Sequence, residues 1–543
     1  MAGYISLDFE SYEAARNEFS WELPEDFNAA YDLVGKHGDG DELVALEQVT
    51  SGGTSKSYTF DEIDGLSNQL ANGFVSLGVE RGDRVAVAAS QKLETLLVHL
   101  ACWKIGAISV PLSVLFGTDA LEYRLDDSGA SVVVAAPSFV DTVLDVAEDC
   151  YSLSHVISIG TPTPDGCISF EDVCADESRE MEPADTGPKT PAIIIYTSGS
   201  TGQPKGVLHR HELWVGHLPA VNMYFEHNVK GDAVYWTPAD WAWIGALGDI
   251  VFPAWHYGRP VVGHPMGKFD PITAFQIMEE FDVTNTFIPP TALRMMMEVQ
   301  DVGGYDIDLN AICSGGEPLT SEIIEWADTH NLRPVNELYG QTEANLIVCN
   351  CRQWFPAELG SMGKPVPGHE VAILDTDTGE RLPPGEPGEI AIRRTDDPVV
   401  FTEYWNEPEQ TDRVTLDDWH CTGDIGVADE EGYLWFKSRD DDLIITSGYR
   451  VSPYEVEDAL LGHESVDQVG VVGVPDERRG EVIKAFVQLT ADVTPSDELR
   501  RALQKRVQRD LAKYEYPREI EFVTELPMTT TGKIRRTKLR EMD

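Results

Sequence analysis

The sequence predicts an α/β protein with a large N-terminal domain of wound α/β sheets, a β-rich subdomain and a small α+β C-terminal domain. Apolar strand patterns alternate with helical patterns over residues 60–150 and again over 231–320, which is typical of a mostly parallel sheet. Short strands and turns replace that pattern from about 365 to 436. A short charged stretch at 438–442 then separates two apolar segments, which indicates a domain boundary.

The first alternating region begins with a helix predicted at 61–77, where apolar residues recur at helical spacing. Strands and one more helix follow, with strands at 85–89, 107–111, 132–135 and 155–159 and the helix at 93–105. The second region contains a strand at 261–262 and a helix at 271–281. No strict sequence repeat relates the two regions.

The C-terminal part of the sequence has a different pattern. Strands predicted at 371–374 and 389–392 flank a Pro- and Gly-rich turn, which favours hairpins. After the charged stretch, the predicted elements are a helix at 453–462, strands at 469–474 and 485–489, and a helix at 496–511. We therefore expect an N-terminal domain at 1–438, a hinge at 439–442 and a C-terminal domain at 443–543, with a ligand cleft between the domains.

Charge limits the partners of this chain. Its 543 residues contain 41 Lys and Arg against 93 Asp and Glu, so the formal net charge is 41 − 93 = −52. Nucleic acids and anionic membranes are polyanions, and this charge argues against both as partners. The acidic residues are spread along the chain, which is typical of proteins from a salt-rich cytoplasm, so we expect a halophilic source.

The sequence also predicts a cytoplasmic protein. No run of about 18 apolar residues could span a membrane, and residues 1–30 lack the apolar segment of a signal peptide. The eight cysteines have no zinc-site spacing and are expected to be reduced. No interface signal is visible, so a monomer and a homodimer both stay open.

Residues 196–207 form the most informative segment. An apolar strand, Ile193–Ile195, leads into hydroxyl and glycine residues and then Lys205. Such a loop can wrap polyphosphate oxygens with backbone N–H groups, while the lysine adds a positive charge. It is not a Walker loop, and an ordinary Ser/Gly-rich turn is the alternative. The candidate phosphate-binding residues are Thr197, Ser198, Gly199, Ser200, Thr201, Gly202 and Lys205.

This loop resembles the signature of the acyl-adenylate-forming superfamily, which includes acyl-CoA synthetases. Five more motifs follow in the family's order, at 314–318, 337–343, 421–424, 438–441 and 527–533. Residues 514–518 and the Tyr-Gly-Gln-Thr-Glu form of the third motif are most similar to medium-chain acyl-CoA synthetases. The resemblance implies the acyl-CoA synthetase-like fold and ATP, Mg²⁺ and CoA as ligands.

The resemblance also implies nucleotide-binding roles. Tyr339 would stack on adenine, and Asp424 and Arg439 would bind the ribose. The other residues expected near ATP or AMP are Gly315, Gly316, Glu317, Pro318, Glu337, Leu338, Gly340, Gln341 and Thr342.

The implied catalytic residues are Lys533, Glu343 and Thr197. By resemblance, Lys533 bridges the substrate carboxylate and the α-phosphate, where charge neutralisation is the main catalytic need. Glu343 and Thr201 are the candidates for holding Mg²⁺. The alternatives are a solvated surface position for Lys533 and a structural salt bridge for Glu343.

The second half-reaction, thioester formation with CoA, implies another set of residues. The hinge matches Asp441, about which the C-terminal domain would swing. The candidates for contact with CoA are Ser447, Gly448, Tyr449, Arg450 and Arg479, with Arg478 beside them. Arg478 and Arg479 could equally be exposed loop charges.

Acetyl-specific relatives carry Trp at the position of Gly340, so its absence implies a deeper acyl pocket here. Trp241 and Trp243 are expected to line that pocket, although buried tryptophans are more often core residues. The predicted function is an AMP-forming acyl-CoA synthetase for medium-chain, branched or aromatic acids in fatty acid metabolism. A short-chain ligase and an adenylating enzyme with a carrier-protein acceptor are the alternatives. A luciferase-like oxygenase and an inactive adenylate-binding protein are disfavoured.

Overall fold

The computed structural model describes most of the 543 residues. The described ranges are 5–38, 42–50, 53–197, 203–317, 319–332, 334–376, 378–439, 442, 444–446, 449–476, 480–491, 493–511, 515–528 and 534–542. Within them, only the backbone is described at 445, 449, 450 and 480.

Among the described residues, the first sheet has eight strands. In spatial order they are Glu403–Tyr404, Lys205–Arg210, Pro191–Thr197, Ile108–Pro111, Arg84–Ala88, Val132–Ala135, His155–Ser158 and Ile168–Ser169. The six from Pro191–Thr197 onward pair in parallel, and Lys205–Arg210 returns antiparallel to Pro191–Thr197. Val132–Ala135 is wholly buried. Burial on both faces explains why its sequence is a continuous apolar run.

The second sheet has nine strands within the described ranges. In spatial order they are Lys364–Pro365, Ala344–Cys349, Val335–Gln341, Ala311–Gly315, Asn285–Phe287, Tyr235–Trp236, Val261–Gly263, Val44–Val49 and Ser55–Thr59. Its central six strands, from Val335–Gln341 to Val44–Val49, pair in parallel.

Two smaller sheets complete the β structure of the part of the chain that the structure describes. The third contains Val371–Leu374, Gly388–Arg393, Thr415–Leu416, Trp419–Ala428 and Leu434–Arg439. The fourth contains Tyr449–Val451, Ile444–Thr446, Gly480–Leu489, Val466–Asp476 and Glu519–Val523.

The α-helices are set by ordinary local signals. Thr59 and Glu62 form a capping box at the start of Phe60–Ser76, and left-handed Gly106 ends the buried helix Leu93–Ile105. The other helices are Tyr12–Glu18, Ala29–Leu33, Thr118–Ser128, Val140–Ala147, Phe170–Cys174, Leu213–Gly216, Leu218–Tyr224, Ile244–Ala246, Phe252–His256, Pro271–Glu280, Pro290–Met297, Ser321–Thr329, Pro408–Arg413, Pro453–Leu461, Asp497–Asp510 and Arg536–Glu541. Gly35–His37 and Val302–Gly304 are 3₁₀ turns, and Leu247–Val251 is a π-helical turn.

The chain divides into two compact units. The first comprises residues 1–371 and 392–420, and the second comprises 372–391 and 421–543. The α/β fold class predicted from the sequence is confirmed, with mixed sheets and a small C-terminal α+β part. The hinge at 439–442 and the domain limits set by it stay predictions. In the part of the chain that the structure describes, no helix combines the length and apolarity needed to cross a membrane.

Candidate functional site

The candidate residues of the first unit lie at the carboxyl ends of parallel strands. Pro191–Thr197 ends at the phosphate-loop candidate, and Ala311–Gly315 and Val335–Gln341 end at the next two motifs. In open α/β sheets this edge is where ligands bind. Pro191–Thr197 belongs to the first sheet, and the other two strands are neighbours in the second sheet. Each of the three motifs therefore lies at a strand end of the kind that binds ligands.

Lys205 and Glu343 are brought close together by a tyrosine. Lys205 pairs with Thr197 across the two strands that flank the loop, and its Nζ lies 4.6 Å from the centre of the Tyr404 ring. The hydroxyl of Tyr404 donates to Oε1 of Glu343 at 2.7 Å. Lys205 Nζ also lies 3.5 Å from Oε1 of Gln410. The arrangement places a cation and a carboxylate against one tyrosine side chain.

A buried histidine fixes the turn before Glu343. Nε2 of His209 lies 2.6 Å from the carbonyl oxygen of Thr342 and donates to it. Burial lowers the pKa of His209 to about 4, so the imidazole is neutral at physiological pH. The strand that carries Lys205 also carries His209, and this bond therefore ties the loop strand to the Thr342–Glu343 turn.

The turn predicted to hold adenine is closely packed. A side chain at Gly315 would lie 2.5 Å from the carbonyl oxygen of Leu338, and Gly316 has a φ of +85°. Glu317 accepts from Arg294 at 2.9 Å, in a pair that neutralises its charge. Glycine is therefore required at 315, where a side chain would collide with the Leu338 backbone, and is favoured at 316 by the positive φ.

Glu337 faces the protein rather than solvent. Its Oε1 accepts from the backbone N–H of Leu319 at 3.4 Å, and burial raises its pKa to about 8. This contact supports the far side of the turn that contains Gly315 and Gly316.

Tyr339 and Gly340 lie in a tight antiparallel hairpin with Ala344–Cys349. Tyr339 is nearly buried and opposes Val348. A Cβ at Gly340 would lie 2.3 Å from the backbone nitrogen of Leu346. Glycine at this position is thus required by the hairpin, and a larger residue here needs a different backbone path.

The two acyl-pocket tryptophans have different surroundings. Trp241 is fully buried, and a side chain at Gly263 would lie 2.9 Å from its ring. Trp243 is half-buried and caps the short helix Ile244–Ala246. Of the two, Trp243 is the one with surface left for a ligand.

In the second unit, Asp424 and Arg439 are cross-strand partners on Trp419–Ala428 and Leu434–Arg439. Gly423 has a φ of +72°, and its backbone N–H donates to Oε1 of Glu389 at 2.9 Å. The Asp424 backbone N–H donates to Thr422 Oγ1 at 3.2 Å. The two residues predicted to bind ribose are therefore neighbours on one sheet.

Several predicted residues lie outside the described part of the chain. These are Ser198, Gly199, Ser200, Thr201, Gly202, Pro318, Asp441, Ser447, Gly448, Arg478, Arg479 and Lys533. Tyr449 and Arg450 belong to the strand Tyr449–Val451. Only the backbone of these two residues is described. Roles assigned to these residues stay predictions.

Three site residues, Tyr404, His209 and Arg294, were not predicted from the sequence. Each touches a predicted site residue, namely Glu343, Thr342 and Glu317. Tyr404 and Arg294 lie outside every motif, so no local pattern marks them. His209 lies only four residues after Lys205, and its position on a strand that leaves the loop was the one available signal.

The fold and this sheet edge are those of an α/β nucleotide-binding enzyme. Two family models match the chain: the AMP-binding enzyme over residues 36–405 and the AMP-binding enzyme C-terminal domain over residues 455–533. The protein belongs to the AMP-binding enzyme family.

Similar proteins cover nearly the whole chain. The mitochondrial acyl-coenzyme A synthetase ACSM4 of Rattus norvegicus is 36% identical over 99% of this chain and 94% of its own length. The acetyl-coenzyme A synthetase of Bacillus subtilis is 36% identical over 98% and 95%. Among solved structures, the anthranilate CoA ligase AuaEII in complex with anthranoyl-AMP has a TM-score of 0.86 at 27% identity, covering 96% of this chain and 98% of that one. A benzoate CoA ligase from Burkholderia xenovorans LB400 has a TM-score of 0.83 at 27% identity, covering 95% and 100%.

Proposed function

We propose that this protein, an AMP-forming acyl-CoA synthetase, acts on medium-chain, branched or aromatic carboxylic acids. The reaction converts acid, ATP and CoA to acyl-CoA, AMP and diphosphate through an acyl-adenylate. The Lys205–Tyr404–Glu343 arrangement at the end of the loop strands carries the adenylate-forming chemistry. Gly340, at the position where acetyl-specific relatives have Trp, carries the substrate class. The similar anthranilate and benzoate CoA ligases support aromatic acids as candidates.

In the first half-reaction, the acid carboxylate attacks the α-phosphate and diphosphate leaves. Both reactants are anions, so the enzyme must supply positive charge and an in-line arrangement. Lys205 is proposed to contact the outer phosphates, and Lys533 is proposed to bridge the carboxylate and the α-phosphate. Tyr339 would stack on adenine, and Asp424 and Arg439 would hold the ribose hydroxyls.

Glu343 fits a magnesium ligand. Its carboxylate is nearly buried, and its contact with the Tyr404 hydroxyl involves Oε1. Mg²⁺ prefers such hard oxygen ligands and neutralises phosphate charge when it is bound. Thr201 is proposed as its second contact.

In the second half-reaction, the CoA thiolate attacks the carbonyl of the acyl-adenylate and AMP leaves. We propose that the C-terminal domain turns about Asp441 between the two steps. Ser447, Gly448, Tyr449, Arg450 and Arg479 are the proposed CoA contacts.

The substrate class is tested by measuring diphosphate release and acyl-CoA formation with ATP and Mg²⁺. The panel runs from acetate to palmitate and includes branched acids and benzoate. A maximum between about four and ten carbons, or on a branched or aromatic acid, is expected, since each buried methylene adds about 0.8 kcal/mol. Activity confined to acetate would overturn the substrate class, and adenylate without thioester would indicate another acceptor.

The role of Lys533 is tested with Lys533→Ala. We expect loss of adenylate formation but retention of thioester formation from supplied acyl-adenylate. Lys538→Ala is the matched control, since Lys538 is half-exposed and pairs with Glu541 at the surface. Equal loss of both half-reactions in Lys533→Ala would refute the assigned role. Stoichiometric acetylation of Lys533, which removes the same charge, should have the same effect.

We also propose a cytoplasmic protein from a salt-rich cell, supported by the net charge of −52. Self-repulsion at this charge is relieved by screening. Stability and activity should therefore rise between dilute buffer and molar KCl, and equal values in both would refute the proposal.

A further inference from the structure

A buried carboxylate in the first unit has one oxygen without a partner among the described residues. Asp249 lies in the π-helical turn Leu247–Val251 and is 2% exposed. Its Oδ1 accepts from Nδ2 of Asn345 at 2.9 Å. Its Oδ2 makes no hydrogen bond in the part of the chain that the structure describes. An oxygen of a largely buried carboxylate that no described group satisfies is a candidate contact for a ligand.

The neighbours of Asp249 cannot supply the missing bond. Nδ1 of His217 donates to the carbonyl oxygen of Leu213 at 2.8 Å, so its Nε2 is an acceptor. Nδ2 of Asn345 donates to that Nε2 at 2.6 Å and to Asp249. Burial lowers the pKa of His217 to about 3, which keeps the ring neutral. Both amide protons of Asn345 are used, and the series of donors ends at Oδ1 of Asp249.

Space is available beside Oδ2. A Cβ built on Gly245 would lie 3.5 Å from Oδ2 of Asp249 and 3.6 Å from Cε1 of Phe287, which are ordinary contact distances. A methyl-sized group thus fits between the carboxylate and the aromatic ring. π-Helical turns frequently mark functional sites, and this one carries Asp249.

The location is that of the predicted acyl pocket. Trp243 caps the short helix that contains Gly245 and leads into the π-helical turn. A Cβ at Gly340 would lie 3.1 Å from the carbonyl carbon of Asn345. The Asp249–Asn345 hydrogen bond therefore connects the two segments that the sequence predicts to line the pocket.

We propose that Oδ2 of Asp249 binds a hydroxyl group on the acyl part of the substrate, so that hydroxy-substituted acids are preferred. The inference rests on the proposed function. A hydroxyl both donates and accepts, and it suits either protonation state of the carboxyl. Burial raises the pKa of Asp249 well above its usual range, which favours a neutral partner over an ammonium group. Asn345 is a positioning residue that fixes the carboxyl through Oδ1.

The test compares acids that differ only by hydroxyl against methyl. The aliphatic pairs are 4-hydroxybutanoate with pentanoate, 5-hydroxypentanoate with hexanoate, and 6-hydroxyhexanoate with heptanoate. The aromatic pairs are the three hydroxybenzoates with the matching methylbenzoates. For each pair we would measure kcat/KM for acyl-CoA formation and take the hydroxyl-to-methyl ratio. At least one pair should favour the hydroxy acid by about tenfold or more, since a site built for a hydrogen bond rejects the analogue that lacks it.

Two variants isolate the oxygen. Asp249→Leu removes it and should reverse the ratio in favour of the methyl acid. Gly245→Ala places a methyl group beside Oδ2 without backbone strain and should reduce the ratio at least about fivefold. Gly303→Ala is the matched control, because a Cβ there meets nothing within 4 Å and should leave the ratio unchanged. A purely structural role for Asp249 would change activity on both acids equally.

The outcomes separate the two proposals. Thioester formation with no hydroxyl preference in any pair, or a ratio that both variants leave unchanged, would overturn the inference and leave the proposed function intact. Preference for the matching ω-amino acid would overturn the hydroxyl assignment. No thioester from any acid would overturn both.

Discussion

The two units of the molecule each bury a polar cluster, and the clusters differ in how completely their groups are paired. In the second unit, Arg536 is 8% exposed and donates to both carboxylate oxygens of Glu457, at 2.8 and 2.6 Å. It also donates to the Tyr454 hydroxyl at 2.8 Å. Arg540 donates to Oδ1 of Asp442 at 2.9 Å.

In the first unit, Asn345 links neutral His217 to Asp249, and no described cation takes part in this cluster. In the second unit each buried charge of the cluster meets an opposite charge, which is what a structural ion pair requires. In the first unit, Oδ2 of Asp249 accepts no hydrogen bond from the described residues. Burial alone therefore does not separate structural from ligand-binding polar groups, whereas a complete account of their hydrogen bonds does.

Removing the cation of the paired cluster should have the largest effect. Arg536→Met leaves Glu457 buried and uncompensated, and we expect a loss of about 3–5 kcal/mol in the free energy of unfolding of the second unit. Denaturant unfolding monitored by hydrogen exchange measures it. Lys538→Met is the control, because its pair with Glu541 is exposed and worth at most about 1 kcal/mol. A similar small loss for both variants would contradict the comparison.

Glu337 is an intermediate case, since it is buried with one weak backbone partner. Its pKa is raised from 4.5 to about 8, so the folded state holds a proton that the unfolded state releases in this range. Stability should therefore fall as pH rises from about 5 to 8, and a difference of one between the folded and unfolded pKa values corresponds to about 1.4 kcal/mol. In Glu337→Gln this loss should disappear, while exposed Glu322→Gln should keep it. Thermal unfolding across this pH range is the measurement, and parallel profiles for wild type and Glu337→Gln would refute the claim.

Tyr404 pairs a neutral hydroxyl with the carboxylate of Glu343. Tyr404→Phe removes that bond, and we expect about tenfold slower diphosphate release because bonds to charged groups contribute about 1.5–3 kcal/mol. Tyr12→Phe removes a tyrosine bond to the carbonyl oxygen of Pro365 and is the control for general loss of stability. If the Tyr404 and Tyr12 variants kept equal activity, the proposed placement of Glu343 would be wrong.

The smallest effect should come from the incompletely paired cluster. Asp249→Leu removes a buried carboxyl that makes a single side-chain bond through Oδ1 within the described residues, so the change in unfolding free energy should stay within about 1 kcal/mol. Asn345 keeps His217 as an acceptor in this variant. Thermal unfolding of the variant beside Arg536→Met checks the contrast directly. A loss as large as that of Arg536→Met would place Asp249 among the structural groups.

The sequence predicted the fold well where one pattern decides the outcome. The helix Leu93–Ile105 and the strand Val132–Ala135 have the predicted bounds, because both are largely apolar and each is followed by a clear stop signal, Gly106 after the helix and Pro137 shortly after the strand. The strand predicted at 485–489 begins earlier in the structure, at Gly480. The prediction began too late because charged residues such as Glu481 and Lys484 interrupt the apolar pattern. Antiparallel pairing with Val466–Asp476 extends it despite that interruption.

The site was predicted only in its local parts. Motifs within a few residues, such as Gly315-Gly316 with their strained or crowded backbone, can be read from the chain. Contacts between distant segments cannot, and Tyr404 lies 61 residues from Glu343. Asp249 lies in no motif, and its proposed role depends on which hydrogen bonds Asn345 and His217 donate and accept. Such information exists only in three dimensions.

The crowded hairpin at Gly340 also limits how such an enzyme can change in evolution. Because a Cβ there would collide with the Leu346 backbone, the smallest step toward a bulky residue is already harmful. A lineage that narrowed its pocket at this position would first have to widen the hairpin through changes at Ala344 or Asn345. The order of mutations is therefore constrained, and a single exchange of tryptophan for glycine should not transplant acetate selectivity into this protein.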